Sequence, residues 1–278
     1  MTVCLCGNIN QDIIFSLDRF PAFHEKVISH FYYIGQGGSA ANTAWWLGML
    51  GIDARIIGCV GRDRAGEDAI NELRGAGVDT SMLALSCRRT GIATIMSCGQ
   101  DKRMIKVNGA NEDLAFRKED YEGASHIHLS SVGHDFAYKV LEHANRNDIR
   151  ASWDPSERVY PDLVEMVDFL FLNEDDLRRS EALLGERMAR NIVVTRNGGG
   201  CTINHDIEVP TLGRNVADTT GAGDAFDAGF IYGLESCLGL EDCGRWGVAC
   251  SSLNVSTVGA RDGFLSKEEL EKMIDEGF

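Results

Sequence analysis

The sequence predicts an α/β fold in a single domain of 278 residues: a mostly parallel central sheet flanked by helices, with a small β lid. Three observations predict it. Short β-type runs alternate with amphipathic helical stretches. Two regions break that rhythm with paired strands and no helix between them. Two glycine-rich segments, far apart in the chain, each turn a strand end or loop into a helix of small residues.

The β-type runs are Val3 to Cys6, Arg55 to Val60, His126 to Leu129, Arg150 to Trp153, Phe169 to Leu172 and Asn191 to Thr195. Alternation with helices predicts parallel pairing, with helices covering the sheet. Several runs end in polar or glycine-rich loops, and an open α/β sheet binds its ligands beyond the carboxyl ends of its strands. The lid is read from 13–35 and 90–107, where SHFYYI, GIATIMS and RMIKV look like paired strands. KEELEKMIDEGF reads as an amphipathic terminal helix. Four prolines leave no stiff spacer, and no internal repeat is present.

Composition narrows the partners. A formal net charge of -15, carried by scattered Asp and Glu with no basic block, argues against nucleic acid and anionic membrane surfaces. Nine cysteines, an odd number without framework spacing, point to reduced thiols and a cytoplasmic setting. The start MTVCLCGNIN has no basic n-region, and no stretch approaches the roughly 18 apolar residues of a membrane span. We therefore expect neither targeting nor insertion. His126, His128 and His134 invite a metal reading, but no cysteine or carboxylate cluster accompanies them, and neutral core or strand-end histidines are expected instead.

The first glycine-rich segment, GQGGSAANTAWWLGMLG at 35–51, pairs Gly37 and Gly38 with a Ser39 cap and a small-residue helix. Gly35, Gly37 and Ala40 also satisfy the dinucleotide fingerprint G-x-G-x-x-A. That reading expects an acidic residue at the end of the next strand, where the chain has GCVGRD. A plain tight turn is the remaining alternative.

The second segment, DTTGAGDAFDAGF at 218–230, is more specific. Gly221, Ala222 and Gly223 leave backbone N–H groups exposed at a helix N-terminus, an anion hole assisted by the helix dipole. Asp224 beside it would repel a phosphate it merely bound. It suits phosphoryl transfer, in which the hole holds the moving group and the carboxylate takes the proton of the attacking hydroxyl. An ordinary Asp pKa of about 3.9 suffices for that role; the bland alternative is an Asp favoured in any first turn. Small residues in AFDAGFIYGLESC are expected to pack closely on the sheet. A P-loop is excluded, because the chain contains no Gly-Lys pair.

These two segments, with GNINQDIIF, GCVGRDRAGE, VNGANEDL and STVGA, resemble the ribokinase-like carbohydrate kinases, the phosphofructokinase B family, from Gly7 to about Leu270. The resemblance implies the three-layer ribokinase-like fold, with ATP and Mg2+ as cofactors. By position it implies that Asp12, Gly37, Gly38 and Asn42 hold the acceptor sugar, and that Asp224 is the base beside the Gly221, Ala222, Gly223 hole. Read alone, Asp12 is a solvent-facing carboxylate and Asn42 a helix-surface amide.

The same resemblance places Asn173 and Asp176 of NEDD at the motif that positions Mg2+ through water, with Glu174 or Asp175 sharing the work of the shorter Asp176 side chain. It places Thr195, Arg196, Gly198 and Gly200 of TRNGGG in the nucleotide loop; Asn197 stands in for a glycine there because Asn tolerates left-handed backbone. Val248 and Asn254 fall on the adenine side. Asp218 and Thr220 match a monovalent-cation site, potassium in some members. A solvated helix start and a plain glycine loop are the alternatives for the NEDD and TRNGGG segments.

The acceptor is expected to be a small sugar-containing molecule. A nucleoside is favoured by the small residues of SAAN and by aromatics available to cover a base, Phe31, Tyr32, Tyr33, Trp45 and Trp46, which are otherwise packing. A free sugar is the next reading, then a sugar phosphate, which would use Arg88, Arg89, Lys102, Arg103 or Lys106. Outside kinases, an NAD-linked oxidoreductase and an inactive sugar sensor compete. A monomer or a lid-mediated homodimer is expected.

Overall fold

A computed structural model describes residues 2–99, 101–156, 158–184, 189–213 and 215–277. In chain order the elements are β1 (Thr2–Gly7), β2 (Asn10–Ser16), β3 (Phe31–Gly37), α1 (Ser39–Met49), β4 (Ala54–Ile57), β5 (Cys59–Gly61), α2 (Arg64–Gly75), β6 (Ala84–Ser86), β7 (Gly91–Cys98) and β8 (Asp101–Val107). They continue with β9 (Ala124–Ser130), α3 (His134–Arg146), β10 (Arg150–Asp154), β11 (Phe169–Asn173), α4 (Glu174–Leu184), β12 (Asn191–Arg196), β13 (Gly200–Ile203), β14 (Ile207–Val209), α5 (Ala222–Glu235), α6 (Leu240–Asn254) and α7 (Lys267–Gly277).

The main sheet runs β14-β13-β12-β11-β10-β9-β1-β4, parallel from β4 to β12 and antiparallel at β13 and β14. Both of its faces are covered, which is why its central strands read as unbroken apolar runs. On β1, Val3 and Leu5 join the core beneath α1, α5 and α6, while Cys4 and Cys6 join the opposite core with Ile127, Leu141 and Trp153. All nine cysteines are free thiols. The lid is a separate sheet in the order β3-β2-β7-β8, as expected, although its first strand begins at Asn10, before the region read from the sequence.

Three sequence readings are corrected. The run from Arg55 to Val60 is two strands, β4 in the main sheet and β5 paired with β6. The break falls at Gly58, where a Cβ would lie 2.8 Å from Ile9 Cδ1 and 3.0 Å from the Gly7 carbonyl oxygen. Strands β6, β13 and β14 carried too few residues to register as β-type runs. The small residues of α5 meet a helix rather than the sheet: a Cβ on Gly229 would stand 2.4 Å from the Trp246 carbonyl oxygen of α6. It is the large residues, Phe226 and Phe230, that pack on the sheet against Phe171, with ring centroids 6.4 and 5.3 Å away.

The terminal helix α7 is amphipathic, burying Leu270 and packing Met273 and Ile274 on the core. Among the described residues, no helix is long and apolar enough to cross a membrane.

Candidate active site

Asp224 lies in the first turn of α5, which follows Gly221 in a left-handed conformation at φ 76°. A side chain at Gly221 would put its Cβ 2.5 Å from that of Ala260, so the turn requires glycine. The first-turn N–H groups have no carbonyl of their own helix to bond. A Cβ on Gly223 would meet nothing within 4 Å, so there is open space before this hole.

The Asp224 carboxylate is buried. Its Oδ2 accepts a 2.7 Å hydrogen bond from Asn42 Nδ2, and Thr43 Oγ1 donates to its backbone oxygen at 3.3 Å. Asn42 in turn accepts through Oδ1 from Arg261 Nε at 3.0 Å, and Arg261 pairs with Glu72 at 2.7 Å. Both ends of the Asn42 amide are therefore engaged, one with the Asp224 carboxylate and one with Arg261. Burial pushes the Asp224 pKa up. Hydrogen bonds from Asn42 and Ser39 and the charges of Arg261 and Lys106 oppose the rise without cancelling it. An ordinary carboxylate pKa, as the sequence suggested, does not survive this environment.

Asp12, on lid strand β2, is buried rather than solvent-facing, and its Oδ1 has no hydrogen-bond partner among the described residues. Burial raises its pKa to about 7; Arg261 and Lys106 pull it down while Asp224 and Asp218 push it up. Gly37 makes room for it, because a Cβ there would fall 2.1 Å from Asp12 Oδ2. Gly38, at φ 94°, starts α1 so close to the preceding strand that a Cβ there would stand 2.5 Å from the Asn8 carbonyl oxygen. Asn8 Oδ1 is likewise buried and unpartnered. Each of these buried acceptors lacks a donor among the described residues, and a ligand hydroxyl is the kind of group that would supply one.

A cavity of about 670 Å³ adjoins these groups, lined by Asn8, Asn108, Ser131, Ser156, Lys106 and Arg158 and by Leu114, Val132, Phe136 and Tyr160. Two links tie it to the carboxylates. The Lys106 charge acts on both Asp12 and Asp224. Ser131 contacts Ser39 Oγ at 3.4 Å, and Ser39 bonds to Asp224. Asn8, Ser131 and Arg261 were missed in the sequence. An arginine directly after STVGA was the available signal.

The nucleotide-side residues are placed less simply. Asn173 and Thr195 are register partners at the carboxyl ends of β11 and β12. Asn173 and Asp176 bond each other, with Asp176 N donating to Asn173 Oδ1 at 2.8 Å, and Arg179 pairs with the second Asp176 oxygen. Both carboxylate oxygens of Asp176 are thus taken. Asp175 pairs with Arg178 at 2.9 Å. In the TRNGGG loop the left-handed positions are Gly198 at φ 76° and Gly200 at φ 84°; Asn197 is not left-handed, contrary to expectation. Arg196 reaches Glu208 at 3.5 Å. Val248 is buried with Phe171 and Phe226, and Asn254 Nδ2 donates to the Ala260 carbonyl at 2.8 Å. Neither residue lines the cavity.

Asp218 and Thr220 already hold a cation. Lys102 Nζ, from lid strand β8, donates to Asp218 Oδ1 and, at 3.0 Å, to Thr220 Oγ1. A potassium ion does not fit beside that ammonium. The metal alternative at the histidines also fails: His126 and His128 are fully buried, share Ser152 Oγ at 2.8 and 2.9 Å, and are kept neutral by burial. Trp46 is core, donating to Ala260 O at 3.0 Å.

Gly35 and Gly37 belong to a lid strand paired antiparallel with β2, so the dinucleotide fingerprint lacks its βαβ setting. A model of the pfkB family carbohydrate kinases matches residues 2–267. A ribokinase of Lactococcus lactis is 27% identical, covering 99% of this chain and 97% of that protein. An ATP-dependent ribose-1-phosphate kinase of Halopiger xanaduensis is 29% identical, covering 93% of each. The crystal structure of a Methanocaldococcus jannaschii nucleoside kinase superposes with a TM-score of 0.87 at 23% identity, over 99% of this chain and 98% of that one, which shows a shared ribokinase fold. The chain belongs to the pfkB family of carbohydrate kinases and is an ATP-dependent sugar or nucleoside kinase.

Proposed function

We propose that the protein phosphorylates the hydroxymethyl group of a nucleoside, with Asp224 as catalytic base. The ribose hydroxyls donate to the orphaned Asp12 Oδ1 and Asn8 Oδ1. The hydroxymethyl oxygen attacks the γ-phosphorus of ATP as its proton passes to Asp224. The bond from the γ-phosphorus to the bridging oxygen breaks with its electron pair leaving on ADP. The N–H groups around Gly221, Ala222 and Gly223 stabilise charge on the moving phosphoryl. A buried base with a raised pKa is better matched to a proton that leaves near neutral pH. Asn42 and Arg261 position it.

Mg2+ supplies charge neutralisation on the ATP phosphates. It typically takes only one or two protein carboxylates, and Asp176, whose oxygens each bond one neighbour, Asn173 and Arg179, would act on the ion through water. Asn173, Thr195, Arg196, Gly198 and Gly200 frame the nucleotide side at the carboxyl ends of β11 and β12.

The observation that carries the nucleoside reading is the mixed lining of the 670 Å³ cavity, in which Leu114, Val132, Phe136 and Tyr160 offer apolar surface to a base beyond the polar ribose contacts. Of the basic residues that left a sugar phosphate open, only Lys106 lines this cavity, joined by Arg158; that pair is the specific ground for a phosphorylated sugar as the second reading. ADP release from MgATP across nucleosides, ribose and ribose 1-phosphate separates them. A nucleoside with the highest kcat/KM supports the proposal, and preference for the phosphorylated sugar overturns it.

A further inference from the structure

Lys102, on the lid, bridges two polar groups on the loop that leads into the Gly221 turn. It bonds Asp218 Oδ1 and Thr220 Oγ1. Thr220 immediately precedes Gly221, whose left-handed turn begins the hole. Asp218 is the hub of this loop: its Oδ1 also accepts from Thr220 N at 3.0 Å, and its Oδ2 accepts from Gly259 N at 3.1 Å. Burial works against an ionised Asp218, and the Lys102 bond and charge together with the bonds from Gly259 and Thr220 more than offset it. A second lid residue docks nearby: Tyr33 bonds Asp262, and its hydroxyl lies within 2.8 Å of where a Gly259 Cβ would stand.

We propose that Lys102 is a built-in monovalent cation. Its single positive charge, delivered by the lid, does at Asp218 and Thr220 what a free potassium ion would do, so turnover is independent of potassium. A consequence follows from its location. The charge reaches the loop only when β8 is docked, so Lys102 is a positioning residue that couples lid closure to the shape of the anion hole. This rests on the kinase reading of that hole.

The experiment compares wild type, Lys102→Met and Lys102→Arg in potassium chloride and in tetramethylammonium chloride. Acceptor-dependent ADP release and thermal melting are read in both salts. Lys102 is partly exposed on a lid strand, so Lys102→Met is expected to fold. For wild type, potassium is expected to change kcat by less than about two-fold and to leave Tm unmoved. Lys102→Met is expected to lose roughly ten- to a hundred-fold in kcat, the scale of a charged hydrogen bond. It should recover part of that loss in potassium and show a potassium-dependent rise in Tm. Lys102→Arg should retain activity without potassium. Strong potassium activation of wild type, a potassium-dependent wild-type Tm, or a Lys102→Met variant indifferent in both readouts overturns the proposal. Failure of the kinase reading would look different, as turnover untouched in Asp224→Asn, and the melting comparison stands apart from it.

Discussion

Asn42 Nδ2 donates to Asp224 Oδ2 at 2.7 Å, joining the starts of two helices 182 residues apart in sequence. This bond converts two separate glycine-rich segments into one site. Removing the proposed base, in Asp224→Asn, is expected to lower kcat by roughly 10²- to 10⁴-fold. Asn42→Leu and Arg261→Met should each lower kcat by about ten-fold with little change in acceptor KM, because they act through Asp224. Their double variant should fall short of the summed effects, since both belong to one hydrogen-bonded chain. Steady-state kinetics on the four proteins decide this; additive losses would place Arg261 outside the chain.

Asp12 links activity to pH. It binds hydroxyls best as a carboxylate, and its pKa is raised to about 7 by burial. kcat/KM for the acceptor should therefore climb with pH up to about 7 and level off above it. Stability moves the other way. Between the unfolded value of about 3.9 and the folded value, the native state holds a proton that the unfolded chain has lost, so stability falls as pH rises. The loss amounts to about 4 kcal/mol at most. Asp12→Asn should raise Tm by several degrees at pH 8 while losing most acceptor affinity, as read by calorimetry and KM.

His128 predicts the opposite slope. Burial, with His126 as a close neighbour that would oppose a second positive charge, lowers its pKa to about 3. Its stabilisation is complete above the unfolded value of about 6.5 and is lost as pH falls from there toward 3. Urea unfolding from pH 7 to pH 4 should show this acid destabilisation, and His128→Asn should flatten it at some cost in stability at pH 7.

Gly37→Ala tests the close approach of lid and acceptor site. Its Cβ would collide with the Asp12 carboxylate, 2.1 Å away. We expect acceptor KM to rise at least ten-fold while the KM for ATP stays within about two-fold. Equal changes in both would show that the substitution disturbs the fold at large.

One face of the lid sheet presents Tyr32 and Ile34 of β3 and Ile105 and Val107 of β8 to solvent, the register placing Phe31 and Met104 on the other face. We propose that this exposed apolar face, on a sheet with open edges, packs against a second copy of the chain. Light scattering should give a dimer, and Ile34→Asp with Ile105→Asp should give a monomer. A monomeric wild type would end this reading.

What the sequence determined by itself is local. Hydrophobic period and strand-to-helix turns showed the α/β class, because each parallel strand is buried on both faces and reads as an apolar run. DTTGAGDAF showed a helix start after a left-handed glycine with Asp224 in its first turn, because these are properties of a short segment. The pfkB resemblance came from these same short blocks. Tertiary structure alone decided what depends on contacts between distant segments. Asn42 lies between Arg261 and Asp224, bonded to one at each end of its amide, only because the fold brings three distant segments together. Asp12 became a buried, unpartnered acceptor because lid strand β2 folds it against Gly37. Asp218 and Thr220 met a lysine instead of a free ion because β8 brings Lys102 across 116 residues of sequence. Hydrogen bonds are short-ranged and directional, so no segment read alone reveals which partner the fold will supply.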